Sequence, residues 1–228
     1  MRITTPGPHF GLLRRQCYVT RFGVWVCLFA VSAAGGDTGL AKVLQGVEDR
    51  YNHAQTLDVR FQQTYAVPQR GPHVETGELF LRKPGRMRWQ YANPAGKLFV
   101  SDGKYLYLYT PAGNRVERSK ARASEDMRAP LAFLLGKLDF QKDFTNFLMR
   151  RNGAEISITA EPRSDRLPYT QVEFMIGPAF EIRELRVTGQ DSSIMEFRFE
   201  DERLNPRLAD KLFEFQPPKG AEIVEAAS

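Results

Sequence analysis

Beyond its first 34 residues the chain has no cysteine and only two histidines, His53 and His73. The third histidine, His9, and both cysteines, Cys17 and Cys27, sit in that leader. The rest of the chain therefore cannot form a disulfide, use a thiol nucleophile or hold zinc through cysteine, and two distant histidines are a poor supply for a catalytic triad or metal site. GxSxG, HExxH, Walker A and GxGxxG patterns are all missing. No catalytic residue, metal or cofactor is expected. Long apolar runs are scarce as well. The most apolar stretch, FGVWVCLFAVSAA from Phe22 to Ala34, is shorter than the roughly 20 residues a bilayer-spanning helix needs.

That stretch follows Arg14, Arg15 and Arg21 and precedes Gly35, Gly36 and Asp37, the order of a secretory signal peptide. Small residues at Ser32 and Ala34 place the cut after Ala34, so residues 1–34 read as signal peptide and 35–228 as one domain. A retained anchor is the alternative. Lipidation of Cys27 is disfavoured by the bulky Trp25 and Val26 before it. The leader holds Arg2, Arg14, Arg15 and Arg21 but no acidic residue; without it the net charge of +5 falls to 28 basic against 27 acidic side chains. Charge gives no reason to expect a nucleic-acid partner.

Leu40, Val43, Leu44, Val47 and Tyr51 recur at helical spacing, behind Asp37 or Thr38 as cap, and predict a helix ending near Asn52. The period then becomes two. Leu57, Val59, Phe61 and Tyr65 alternate with polar residues, as in a strand with one wet face. Further strands are expected at 78–83, 86–91, 97–101 and 105–109, separated by Pro84-Gly85, Asn93-Pro94 and Asp102-Gly103. The charged stretch 117–128 reads as an exposed loop. Pro130 to Leu138, with Leu131, Leu134, Leu135 and Leu138 on one side, reads as a short apolar helix. Strands resume at 144–149, 155–160, 169–176, 182–188, 194–200 and 211–215. About eleven strands and two helices point to a mainly β (α+β) fold, a single curved antiparallel sheet with helices on one face.

His73 and Glu75 could in principle ligate a metal, but read more simply as an exposed loop after Gly71-Pro72, and Asp102 needs no role beyond its turn. The informative feature is apolar. Leu79 and Leu81 share a face with Lys83, and Met87, Trp89 and Tyr91 share one on the next strand, opposite Arg86, Arg88 and Gln90. These are either ordinary core or the wall of an apolar ligand cavity.

GELFLRKPGRMRWQY (77–91), Pro94, FVSDGKYLYLYTP (99–111), FEFQPPKGAEIV (213–224) and Phe61-Gln62-Gln63 occur in one order along the chain. Together they resemble the periplasmic outer-membrane lipoprotein carrier family (LolA-like). The resemblance implies an unclosed β-barrel, with helices covering a hydrophobic cavity that receives acyl chains. Its wall would include Leu79, Leu81, Met87, Trp89 and Tyr91, and its lid Leu131, Leu134 and Leu135. It further implies a likeness in partners: acylated lipoproteins, an inner-membrane lipoprotein-releasing ABC transporter and an outer-membrane lipoprotein acceptor, with the carrier a periplasmic monomer. One position departs from the family. The basic residue before the proline, usually Arg and tied to lid control, is Lys83 here, and lysine lacks the planar fork that bridges several carbonyls. Met87 also stands where the family often has an aromatic. Two other readings stay open: a carrier or sensor of another periplasmic lipid of glycolipid type, and a secreted lipid hydrolase.

N-terminal sequencing of the exported protein should begin at Gly35; a start at Met1 would make the leader a retained anchor.

Overall fold

A computed structural model describes residues 35–68, 71–120, 138–165 and 167–225. The leader, the charged stretch beyond Lys120 and the helix expected to carry Leu131, Leu134 and Leu135 lie outside the described residues.

Helix α1 spans Gly35–His53, beginning two residues before the expected cap. It buries Val43, Leu44, Val47 and Tyr51, the stripe its spacing predicts. Strands β1 (Thr56–Ala66), β2 (His73–Arg82), β3 (Arg86–Asn93), β4 (Leu98–Asp102), β5 (Tyr105–Thr110) and β6 (Arg115–Lys120) follow. After the short helix α2 (Phe140–Asp143) come β7 (Phe144–Asn152), β8 (Glu155–Pro162), β9 (Tyr169–Ile176), β10 (Ile182–Gly189), β11 (Ile194–Leu204) and β12 (Glu222–Glu225).

All twelve strands form one sheet, ordered β12-β6-β5-β4-β3-β2-β1-β11-β10-β9-β8-β7. It consists of two antiparallel meanders joined where β1 pairs with β11. The sheet does not close, because β12 and β7 end the order without pairing to each other. We call the face toward α1 the inner face.

Three expectations need correction. Residues 117–120 are not loop: they belong to β6, with Glu117 opposite Leu108 and Arg118 opposite Tyr107. Their charge suits a strand near a sheet edge, where Arg118 pairs with Glu225 of β12. Nor is the sheet wholly antiparallel, since β12 runs parallel to β6. Residues 211–215 form no strand either; Asp210–Phe213 is a 3-10 turn. The alternation of Phe213 and Phe215 serves burial against the outer face instead of pairing. Phe213 is buried beneath the Arg82 guanidinium, 5.1 Å above its ring. Phe215 stacks on Tyr107 with centroids 4.8 Å apart, and Arg88 Nη1 donates to Leu212 O at 3.2 Å.

On the inner face Leu57, Val59, Phe61, Gln63 and Tyr65 of β1 stand opposite Leu81, Leu79, Gly77, Glu75 and His73 of β2. Gly77 is the one small residue in this ladder, at a register shift between β2 and β3. The Phe61 ring occupies the space a side chain there would take: a Cβ would lie 2.9 Å from the ring and 2.2 Å from Gln90 O. Backbone cannot yield as a flexible side chain can. Gly77→Ala should therefore cost about 1–3 kcal/mol in urea unfolding. Gly71→Ala, with nothing within 4 Å, should leave stability unchanged or slightly raised.

Candidate functional site

The inner face carries a connected aromatic cluster. Phe61 meets Trp89 edge-on at 4.7 Å and Tyr91 at 5.2 Å, and Trp89 meets Phe197 at 5.4 Å. These edge-to-face contacts add to the burial of the rings. Trp89 Nε1 donates to Met87 Sδ at 3.0 Å, so the indole N–H is satisfied without water. The strand period thus brings Leu79, Leu81, Met87, Trp89 and Tyr91 together on one face, each no more than 7 % exposed. In this state they join α1's Val43, Leu44 and Val47 in one apolar cluster.

Covering that face depends on the last turn of α1. Tyr51 Oη donates to Glu202 Oε2 at 2.6 Å and accepts from Ile182 N at 2.9 Å. Burial, with Glu202 beside it, pushes the phenol's pKa well above its usual value, which keeps it a proton donor. Arg50 Nε donates to the same carboxylate at 3.0 Å. Asn52 forms a two-way clamp on Leu138, accepting from its N–H at 2.7 Å and donating to its carbonyl at 2.8 Å. Glu48, one turn earlier, accepts from Phe140 N at 2.7 Å. The helix is thereby tied to β10, to β11 and to the chain that returns at Leu138.

Lys83 completes this set. Its Nζ donates to Tyr51 O at 2.7 Å and its backbone N–H to Gln55 O at 2.9 Å. A cation here meets a carbonyl at the negative end of the helix. Partial burial lowers the ammonium's pKa. Lys83 thus ties the end of α1 to the turn after β2.

The other candidates fall elsewhere. Asp102 Oδ1 accepts from Lys104 N and Tyr105 N, both at 2.7 Å, as a turn aspartate does. His53 lies on α1 with Nδ1 2.6 Å from Asp49 O. His73 is exposed at the start of β2, 3.5 Å from Glu75. Among the described residues no three His, Cys, Asp or Glu side chains converge as metal ligands. Glu75 is a correction: it is no loop residue but lies buried in β2, with Lys97 Nζ 2.6 Å from both carboxylate oxygens. Sequence reasoning missed this pair, although Glu75 keeps the phase of Leu79 and Leu81. The anchors Arg50, Asn52 and Glu202 carried no such signal.

One unclosed sheet with an apolar face held under a helix defines the unclosed β-barrel class. The family profile described as "Outer membrane lipoprotein carrier protein LolA" matches residues 52–216, and the chain belongs to that family. It is similar to the outer-membrane lipoprotein carrier protein of Proteus mirabilis, 23% identical over 88% of this chain and 96% of the relative. The carrier of the same description from Chromobacterium violaceum is 29% identical over 75% of this chain and 82% of its own. Among solved structures, a LolA superfamily protein from Nitrosomonas europaea matches with a TM-score of 0.45 at 11% identity, over 77% of this chain and 97% of that one.

Lys83→Met should speed amide exchange in the last turn of α1 by about tenfold, the loss of one hydrogen bond from a charged donor. Lys83→Arg should restore protection. Unchanged exchange in Lys83→Met would remove Lys83 from the anchoring of the helix.

Proposed function

We propose that the protein carries acylated lipoproteins through the periplasm, holding their acyl chains against the inner face of the sheet. The observation that carries this reading is the continuous apolar face from Phe61 through Trp89 to Phe197 on a sheet that does not close, in a chain of the lipoprotein carrier family. Leu79, Leu81, Met87, Trp89 and Tyr91 are the wall that chains would meet after α1 shifts from it. Leu131, Leu134 and Leu135 would belong to the same cover, with Lys83 setting how firmly α1 is held.

The energetics are physical. Each methylene moved from water to an apolar wall contributes about 0.8 kcal/mol, so a long chain gains on the order of 10 kcal/mol. Displacing the Val43, Leu44 and Val47 stripe costs part of that gain, which keeps the bound state shallow enough for handover. Cargo would come from an inner-membrane releasing transporter and pass to an outer-membrane acceptor, and the leader would direct export and be removed. The carrier reading calls for no bond-making chemistry.

The chain has two tryptophans, Trp25 in the leader and Trp89 on the inner face, so in the processed protein fluorescence reports the proposed wall alone. Added to spheroplasts, the folded protein should release a lipoprotein, and the purified complex should show a shifted Trp89 emission. Absence of release by a folded sample would overturn the carrier reading. Release with unchanged Trp89 emission would move the acyl site off this face.

A further inference from the structure

The inner face does not stay apolar along its whole length. Following β1 from Phe61, the next residues of the same phase are Gln63 and Tyr65, and their neighbours on β2 are Glu75 and His73. A cavity of ≈ 520 Å³ opens here, with Gln63, Tyr65, Glu75, Lys97 and Met195 among its lining residues. His73 and the turn carrying Gln190 and Asp191 line it as well. The cavity adjoins the aromatic cluster through Tyr91: the Lys97 ammonium lies 4.3 Å over the Tyr91 ring, and Tyr91 Oη donates to Gln63 Oε1 at 3.3 Å.

A salt bridge this withdrawn from water is a poor stabilising device. The Glu75 side chain is 9% exposed and that of Lys97 21%. The desolvation of the two charges offsets most of their attraction, and an apolar pair of similar volume would hold the strands as well. Its position suggests another use. It stands where an apolar floor meets a solvent-facing mouth, the level at which a ligand with buried chains and a polar head changes character.

We propose that Glu75, Lys97 and Gln63 form a polar collar that receives the uncharged ester or amide group of an acylated ligand and rejects the carboxylate of a free fatty acid. The proposal rests on the carrier reading. Gln63 already accepts from Tyr91 through its oxygen, so the group it offers a ligand is its amide nitrogen, a donor suited to an ester or amide carbonyl. Lys97 would by itself attract a carboxylate. Glu75 neutralises it through both oxygens, so an ionised head would lose its water with no free cation to replace it and would meet repulsion from Asp191 on the same lining. An ester linkage carries no charge and meets none. The collar thereby sorts esterified chains from free ones by charge rather than by chain length.

Competition against bound N-phenylnaphthylamine at mildly alkaline pH tests this on the processed protein. Methyl palmitate should displace the probe at concentrations about tenfold lower than palmitate does. Glu75→Gln leaves Lys97 uncompensated and should improve palmitate about tenfold while leaving methyl palmitate unchanged. The double variant Glu75→Gln/Lys97→Gln removes the freed cation, and should return the preference for methyl palmitate to about tenfold. If the single variant fails to fold, the comparison of the two ligands on the unaltered protein still decides. Equal displacement by both ligands in the unaltered protein overturns the collar, as does a palmitate affinity unmoved by Glu75→Gln; the carrier reading survives both results. A folded protein whose probe neither ligand displaces overturns the carrier reading and the collar with it.

Discussion

The attachment of one helix turn governs the rest of the structure. An unclosed sheet cannot shield its inner face by wrapping around it, so the cover must be held there by other bonds. Glu48 and, one turn on at the end of α1, Arg50, Tyr51 and Asn52 supply them, reaching α2, β11, β10 and Leu138. Lys83 adds a fifth tie, from the turn between β2 and β3. The apolar stripe of α1 supplies burial without direction, whereas these polar contacts fix where the helix rests.

The two faces of the sheet are closed off by different means. The inner face is covered by a helix held mainly at its end. The outer face of β3–β6 is covered by the chain after β11, which buries Phe213 and stacks Phe215 on Tyr107 before β12 pairs with β6. Val100 and Val116, buried opposite Tyr107 and Tyr109 in the strand register, belong to this second, smaller packing layer. Among the described residues, the run of edge-to-face aromatic contacts lies in the inner layer.

Much of this was legible in the sequence, for a definite reason. The stripe of α1 and the alternation of β1 to β5 carry period and turn residues together, and such local signals agree with the fold. Residues 211–215 show where the reasoning stops: Phe213 and Phe215 alternate as a strand would, but whether an alternating segment pairs or lies across a sheet is settled by distant residues. Glu75 shows the same limit. Its phase was readable, yet its charge argued for solvent until Lys97, from the far side of a hairpin, stood beside it. Lys83 was singled out through the family pattern, while its contact with Tyr51 O needed coordinates.

The order of the strands has a consequence for how the chain assembles. Within each meander every strand pairs with its immediate predecessor or successor, so the entropy of closing those loops is small. Two pairings are different, β1 with β11 and β12 with β6. Six strands can be laid down as soon as they leave the ribosome or the export channel, but β1 stays a bare edge until β11 arrives more than a hundred residues later. Until then the richest apolar ladder of the protein borders an unpaired strand, and the seam between the halves is where the growing chain is most open to wrong partners.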